Sequence, residues 1–210
     1  VIITTENIGK RYRREWIFRG LTYEFCQGEA IALLGANGSG KSTFLSILSG
    51  YLSPTEGKIQ WFENGQAKSA DDIFREITWC TPAMQLYDDL TLAENVAFFC
   101  QFKRLRHQLT PETFAQRIQL EAQLNKPLKQ FSSGMKQRVK LGLAILGESS
   151  LLLLDEPTSF LDEAAVAWYQ NMVSTEREGR LIFIASNRAQ SETFLCERSI
   201  DVEAYKNQLS

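Results

Sequence analysis

The sequence has one histidine, His107, and four cysteines, Cys26, Cys80, Cys100 and Cys196, that share no paired spacing. Such scatter argues against a disulfide framework or a zinc site and predicts buried, reduced thiols in a cytosolic protein. His107 lies in a polar stretch, which predicts a solvated side chain rather than a ligand or a base. Long apolar runs are missing as well. Leu151 to Leu154 is one of the apolar runs, and it falls far below the ~20 residues that a membrane span requires. The amino end carries no signal-peptide pattern, so a membrane role would require a partner to supply the spanning part. An excess of one charge is also absent. The formal net charge is -2, with acids and bases interspersed, and no strong attraction to nucleic acid follows. The local basic run Lys10-Arg11-Tyr12-Arg13-Arg14 is expected to be a solvated edge. Internal repeats, low-complexity tracts and a second phosphate loop are not found. What remains, 44% apolar and 23% charged residues in 210, suits a soluble globular chain of one large or two small domains.

The chain is organised around Gly35-Ala36-Asn37-Gly38-Ser39-Gly40-Lys41-Ser42, which fits the phosphate-loop pattern G-x-x-x-x-G-K-[ST]. Ala30 to Leu34, just before it, is a short apolar run of the kind a buried strand shows. After it, Phe44, Leu45, Ile47 and Leu48 recur at helical spacing, and Gly50 is a C-cap. Strand, loop and helix together are the context that the motif needs. The glycines let backbone N–H groups turn inward toward phosphate oxygens, and the helix adds its positive end. Lys41 then reaches the β- and γ-phosphates, and the Ser42 hydroxyl can ligate Mg²⁺.

Residues 1–34 read as strands, with Leu21 to Phe25 alternating in the half-buried pattern and Gly28-Glu29 turning the chain. Tyr12 either packs in the core or stacks on a nucleotide base. Lys58 to Glu63 reads as a strand closed by an Asn64-Gly65 hairpin turn, and Ile77 to Cys80 as another, ended by Pro82. Residues 88–147 change to helical character. Thr91 and Glu94 form a capping box, and Thr110-Pro111 opens a second helix whose apolar face is Phe114, Ile118, Leu120 and Leu124, broken at Asn125 to Pro127. Ser132 and Ser133, with Gly134, start a third helix; an exposed Ser-Ser-Gly there is a weak anion-binding signal. Leu151 to Glu156 reads as a buried strand ending in two carboxylates, its continuous apolar run fitting a central parallel strand. Asp155 and Glu156 thus fall at the carboxyl end of that strand, where open α/β sheets bind ligands. Asp155 can hold Mg²⁺, and Glu156 can accept a proton from an attacking water. A helix over Glu163 to Glu178, a strand over Leu181 to Ala185 and a last strand over Ile200 to Val202 complete an α/β alternation with a parallel sheet.

In this order the motifs resemble the ATP-binding subunits of ABC transporters over nearly the whole length. The set comprises Tyr12, the Walker A loop from Gly35 to Ser42, a loop coupling to the membrane partner at about 81–88, a signature from Phe131 to Met135, Walker B with its glutamate from Leu151 to Glu156, and Ser159-Phe160-Leu161-Asp162. The resemblance implies one ATP-binding domain over residues 1–210. Its fold would be an α/β P-loop NTPase core with a parallel sheet, an N-terminal antiparallel β subdomain and a helical subdomain at about 88–147. ATP and Mg²⁺ are the implied cofactors. The implied nucleotide set is Tyr12, Gly35, Ala36, Asn37, Gly38, Ser39, Gly40, Lys41, Ser42, Thr43, Ser132, Ser133, Gly134 and Asp162, with Ser42 and Asp155 on the metal and Glu156 and Asn187 in catalysis. Ser132 to Gly134 would reach the γ-phosphate of a second subunit, either a homodimer mate or a similar ATPase subunit. The membrane-spanning subunit is the other implied partner, nucleic acid is not one, and the place is the cytoplasmic face of the inner membrane. The Gly-Met-Lys-Gln-Arg run favours export.

Three positions depart from the family. The signature, usually Leu-Ser-Gly-Gly-Gln, is Phe131-Ser132-Ser133-Gly134-Met135. Pro82 stands where the coupling loop carries a Gln, and Asn187 where the family carries its switch histidine. These departures predict near-normal ATP binding with slow basal hydrolysis. They also leave open a second reading, an ATP-gated regulatory clamp with little turnover.

Overall fold

The computed structural model describes residues 1–187 and 190–206. The chain opens with two long strands, β1 (Ile2–Tyr12) and β2 (Glu15–Cys26), and then β3 (Ala30–Leu34). Helix α1 (Lys41–Leu48) follows, capped by Ser49, with Gly50 at φ 73 turning the chain away. Next come β4 (Glu56–Glu63), β5 (Gln66–Lys68), α2 (Ala70–Arg75) and β6 (Ile77–Cys80). Asn64 and Gly65 both take positive φ, 51 and 75, which is the two-residue hairpin turn that their pairing predicts. The helical segment holds α3 (Leu92–Cys100), α4 (Pro111–Arg117) and α5 (Ser133–Leu146). The chain returns through β7 (Leu151–Asp155), α6 (Glu163–Thr175), β8 (Leu181–Ser186), the short α7 (Gln190–Thr193) and β9 (Arg198–Asp201).

Two sheets result. One is antiparallel, in the order β2-β1-β4-β5, and the other is parallel, in the order β6-β7-β8-β3-β9. The two faces of the parallel sheet account for its unbroken apolar strands. Leu152, Leu154, Ile182 and Ile184 join one cluster with Val139, Leu143, Leu146, Tyr169 and Val173 from α5 and α6. Leu151, Leu153, Leu181 and Phe183 join the other with Phe44 and Leu48 of α1 and Ile3, Phe18 and Phe25 of the antiparallel sheet. Both faces are covered, so alternation has no solvent side to show. Each such aliphatic side chain contributes about 1.5–3 kcal/mol of burial.

Several expectations change. The second helix ends at Arg117 instead of running to Leu124, because Gln119 takes φ 58 and the Leu120 N–H turns back to the Ala115 carbonyl. Helix α6 stops at Thr175 rather than Glu178, and Gly179, at φ 74, makes a later turn. Helix α2, started by a Ser69–Asp72 capping box, is an additional element that the apolar pattern does not predict. Of the four cysteines Cys80 is buried, Cys26 and Cys196 are half-buried, and Cys100 is exposed. His107 is half-exposed, but its Nε2 lies 3.0 Å from the buried Glu176 carboxylate, which Arg106 and Arg117 also contact, at 3.0 and 2.6 Å. Among the described residues no helix is long and apolar enough to cross a membrane.

Candidate functional site

The parallel register sets the site. Leu34 pairs with Ser186, and Asp155 with Ala185, so Gly35, Glu156 and Asn187 leave the sheet along one carboxyl edge. Gly35, Gly38 and Gly40 take φ of 148, 80 and 105, and this curls the loop. Larger residues fit poorly: a Cβ on Gly35 would collide with Ser39 Oγ, and one on Gly40 would lie 2.5 Å from Ile17 Cγ2. Lys41 is 5% exposed and folds back across the loop, its Nζ donating to the Gly35 carbonyl at 2.8 Å and the Ala36 carbonyl at 3.0 Å. Gly40 gives α1 no side-chain cap, and Ser39 Oγ is buried without a partner among the described residues. Uncapped amides and an ammonium beside them make an anion site. They face a cavity of about 200 Å³ lined by Ile17, Asn37, Gly38, Gly40, Lys41, Ser42, Thr43 and Glu156.

The acids close this cavity. Asp155 ends β7 at 3% exposure, and Glu156 steps out of the strand at φ 47 with its N–H on the Ala185 carbonyl at 2.9 Å. Burial holds the Asp155 carboxyl above its ordinary value. A hydrogen bond with Ser42 opposes that, the Glu156 charge adds to it, and Lys41 opposes it again. Among the described residues no three His, Cys, Asp or Glu side chains gather as a metal group. Ser42 and Asp155, which share a hydrogen bond, could hold a hard cation completed by phosphate oxygens and water, as Mg²⁺ is.

The remaining residues of the implied set are spread out. Tyr12 ends β1 at 48% exposure with Lys10 Nζ 5.4 Å from its ring, so it is not a core aromatic; its hairpin also carries Ile17, which lines the phosphate cavity. Ser132 caps α5, accepting the Met135 N–H at 3.2 Å, and Ser132 and Ser133 are exposed. Gly134 abuts the loop after β7, where a Cβ would lie 2.9 Å from the Phe160 carbonyl. Asp162 is exposed and caps α6 through the Ala165 N–H at 2.8 Å, and Asn187 is an exposed bend. None of Tyr12, Ser132, Gly134, Asp162 and Asn187 lines the phosphate cavity of its own chain.

A second cavity, of about 280 Å³, meets the first at Glu156 and is lined by Pro82, Ser133, Lys136, Gln137, Lys140, Ser159 and Phe160. Several contributors had no local signal in the sequence. Gln137 is buried and ties α5 to the Pro157 carbonyl at 3.0 Å. Glu192 is buried and accepts the Thr158 N–H at 3.0 Å and its hydroxyl at 2.7 Å. Glu203 Oε2 reaches the Ala36 N–H at 3.5 Å. On another face, a groove of about 310 Å³ runs between Tyr51, Phe74, Trp79, Met84, Phe99 and Phe102, and Tyr51, Phe74 and Phe102 are 70–80% exposed. Met84 belongs to the predicted coupling loop.

Residues 18–159 match the model of the family described as ABC transporter. Among curated proteins, the mouse ABC-type organic anion transporter ABCA8B is 32% identical over 94% of this chain, and the human phospholipid-transporting ATPase ABCA3 is 31% identical over 86%. The chain spans only 13% and 11% of these relatives' lengths. The linearmycin resistance ATP-binding protein LnrL of Bacillus subtilis is 29% identical over 94% of this chain and 65% of its own length. Among solved structures, a dimeric ATP-binding cassette bound to ADP and phosphate is 21% identical, with a TM-score of 0.80 over 96% of this chain and 95% of that one. A bacterial Atm1-family exporter with ATP bound is also 21% identical, with a TM-score of 0.79 over 96% of this chain and 37% of that one. At these identities the solved structures speak for the fold.

Proposed function

The chain belongs to the ABC transporter family, and from that premise we propose that it is the ATP-hydrolysing cassette of a membrane exporter, working in pairs on the cytoplasmic face of the membrane. The observation that carries this is one cavity bounded by the phosphate loop, Lys41, Ser42 and Glu156, with Asp155 buried behind it. In the proposed reaction Lys41 leaves the Gly35 and Ala36 carbonyls for the β- and γ-phosphates. Ser42 and Asp155 would hold Mg²⁺, which supplies charge neutralisation to the phosphates when bound. A water oxygen forms a bond to the γ-phosphorus, the bond to the β–γ bridging oxygen breaks, and Glu156 accepts the proton of the water. ADP and phosphate leave.

The exposed cap at Ser132 to Gly134 supports the pairing. It cannot serve its own phosphate cavity, but it is free to cover that of a two-fold mate, which would explain its exposure. Tyr12 on its hairpin would stack on the adenine, and Asp162 would lie where the two chains meet. The apolar groove around Phe74 and Phe102 supports docking of a short amphipathic segment of the membrane-spanning partner, whether on another chain or elsewhere in the same polypeptide. Export rests on the signature run and on the name of the Bacillus relative.

The rival reading, an ATP-gated clamp, is favoured by Pro82 and by the exposed Asn187. One experiment separates the two: titration calorimetry with MgATP alongside steady-state phosphate release. Binding with release that Glu156→Gln abolishes supports the ATPase. Binding without release supports the clamp, and no binding removes both.

A further inference from the structure

Helix α5 turns one face toward Glu156. Ser133, Lys136, Gln137 and Lys140 follow the i, i+3, i+4, i+7 spacing that places side chains in one column, and all four line the second cavity. Three are accounted for. Ser133 belongs to the exposed cap, Lys136 pairs with Asp88 at 2.6 Å, and Gln137 donates to the Pro157 carbonyl. Lys140 differs. Among the described residues its ammonium has no acid partner, and its one hydrogen bond is a long contact, 3.4 Å, to the carbonyl of Pro82. It therefore stands beside the backbone of Pro82, whose side chain carries no polar group, and lines a cavity that Glu156 also lines.

From this we propose that Lys140 is a positioning residue for hydrolysis: with nucleotide in the phosphate loop, its ammonium leaves the Pro82 carbonyl and takes a Glu156 carboxylate oxygen, holding the other oxygen toward the attacking water. A flexible four-carbon stem with three donors at its end, lining the same cavity as Glu156, suits that exchange. The present contact is long, and the exchange would give the ammonium an oppositely charged partner. The same placement gives α5, which also carries the Ser132 cap, a link to the base, so that hydrolysis reads the position of the helical segment. The inference rests on the ATPase reading above.

The test uses the 210-residue chain and four proteins: natural, Lys140→Met, Lys140→Arg, and Lys140→Met with Pro82→Gln. Lys140→Met should lower kcat about 10²-fold, the scale of one lost positioned donor, with KM for ATP and melting temperature unchanged. Lys140→Arg should keep most of the rate. Pro82→Gln should recover at least about tenfold in the Lys140→Met background, because the two side chains would serve one task. Lys140→Met at the natural rate overturns the proposal. So does a fall in melting temperature and ATP affinity together, which would mark a packing role, and so does an equal loss in Lys140→Arg. If the natural protein binds MgATP but releases no phosphate, the ATPase reading fails first and this one with it. If natural turnover is present and Glu156-dependent while the Lys140 variants match it, only this inference fails.

Discussion

The two cavities that meet at Glu156 are built in opposite ways. The phosphate side is made almost wholly from one contiguous stretch, residues 35–43, whose glycine angles and buried lysine are set by local geometry. The far side is assembled from three separate stretches, at Pro82, at Ser133 to Lys140 and at Glu156 to Phe160, joined by single side-chain bonds such as that from Gln137 to Pro157. A loop that has to wrap a phosphate tolerates little change. A wall assembled from distant pieces can exchange one polar group for another of different origin, provided that some donor faces Glu156. Among the departures from the family, Pro82 and Ser133 lie on the second wall and Asn187 at the sheet edge, while the phosphate-loop pattern is complete.

The contrast is sharpened most by Glu156→Gln, which removes the residue that both walls share. Phosphate release should fall by at least about 10²–10³-fold, and the chain should form a dimer in ATP, read by sedimentation; monomer alone under saturating ATP would break the proposed pairing. Next is Lys41→Ala on the first wall. Losing a charge-assisted contact costs about 1.5–3 kcal/mol, so MgATP affinity should drop roughly tenfold or more by calorimetry. Equal affinity would deny that the first wall is the phosphate site.

The third change lies outside both walls. The Glu176 carboxylate joins the end of α6 to Arg106, His107 and Arg117 of the helical segment. Burial pushes its carboxyl up, but the hydrogen bonds from His107 and Arg117 outweigh that and leave it below its ordinary value. Its contribution to stability is therefore present above the ordinary glutamate range and is lost as the pH falls through the lowered value. Glu176→Gln should lower the melting temperature at pH 7 by several degrees, and the gap to the natural protein should narrow below pH ~4. A gap that stays constant with pH would show that packing, not charge, holds this junction. The smallest effect is expected of Asn187→His. Asn already offers an amide donor, so phosphate release at saturating ATP should rise less than about tenfold. A loss of rate would mean that the edge has closed around the shorter side chain.

The phosphate loop, the capping boxes at Thr91 and Thr110, the Asn64-Gly65 turn and the buried strands were legible because each depends on neighbours within a few residues. The early ends of α4 and α6 were not legible. Nothing in the pattern around Gln119 announces a left-handed residue, and the chain turns at Gln119 as Leu120 hydrogen-bonds back to Ala115. His107 looked solvated because its partner lies 69 positions away.

The sequence by itself determined the alternation of strands and helices, the glycine turns of residues 35–42 and the place of Asp155 and Glu156 at a strand's carboxyl end, because backbone angles, caps and apolar period are local properties of the chain. Tertiary structure decided that Ile17 lines the phosphate-loop cavity, that Glu203 and Glu192 hydrogen-bond Ala36 and Thr158, that Ser132 and Gly134 stay outside that cavity, and that the ammonium of Lys140 stands beside Pro82. Those facts depend on which segments of distant sequence come into contact when the parallel sheet and α5 bury their apolar faces, and no short window of residues contains both partners.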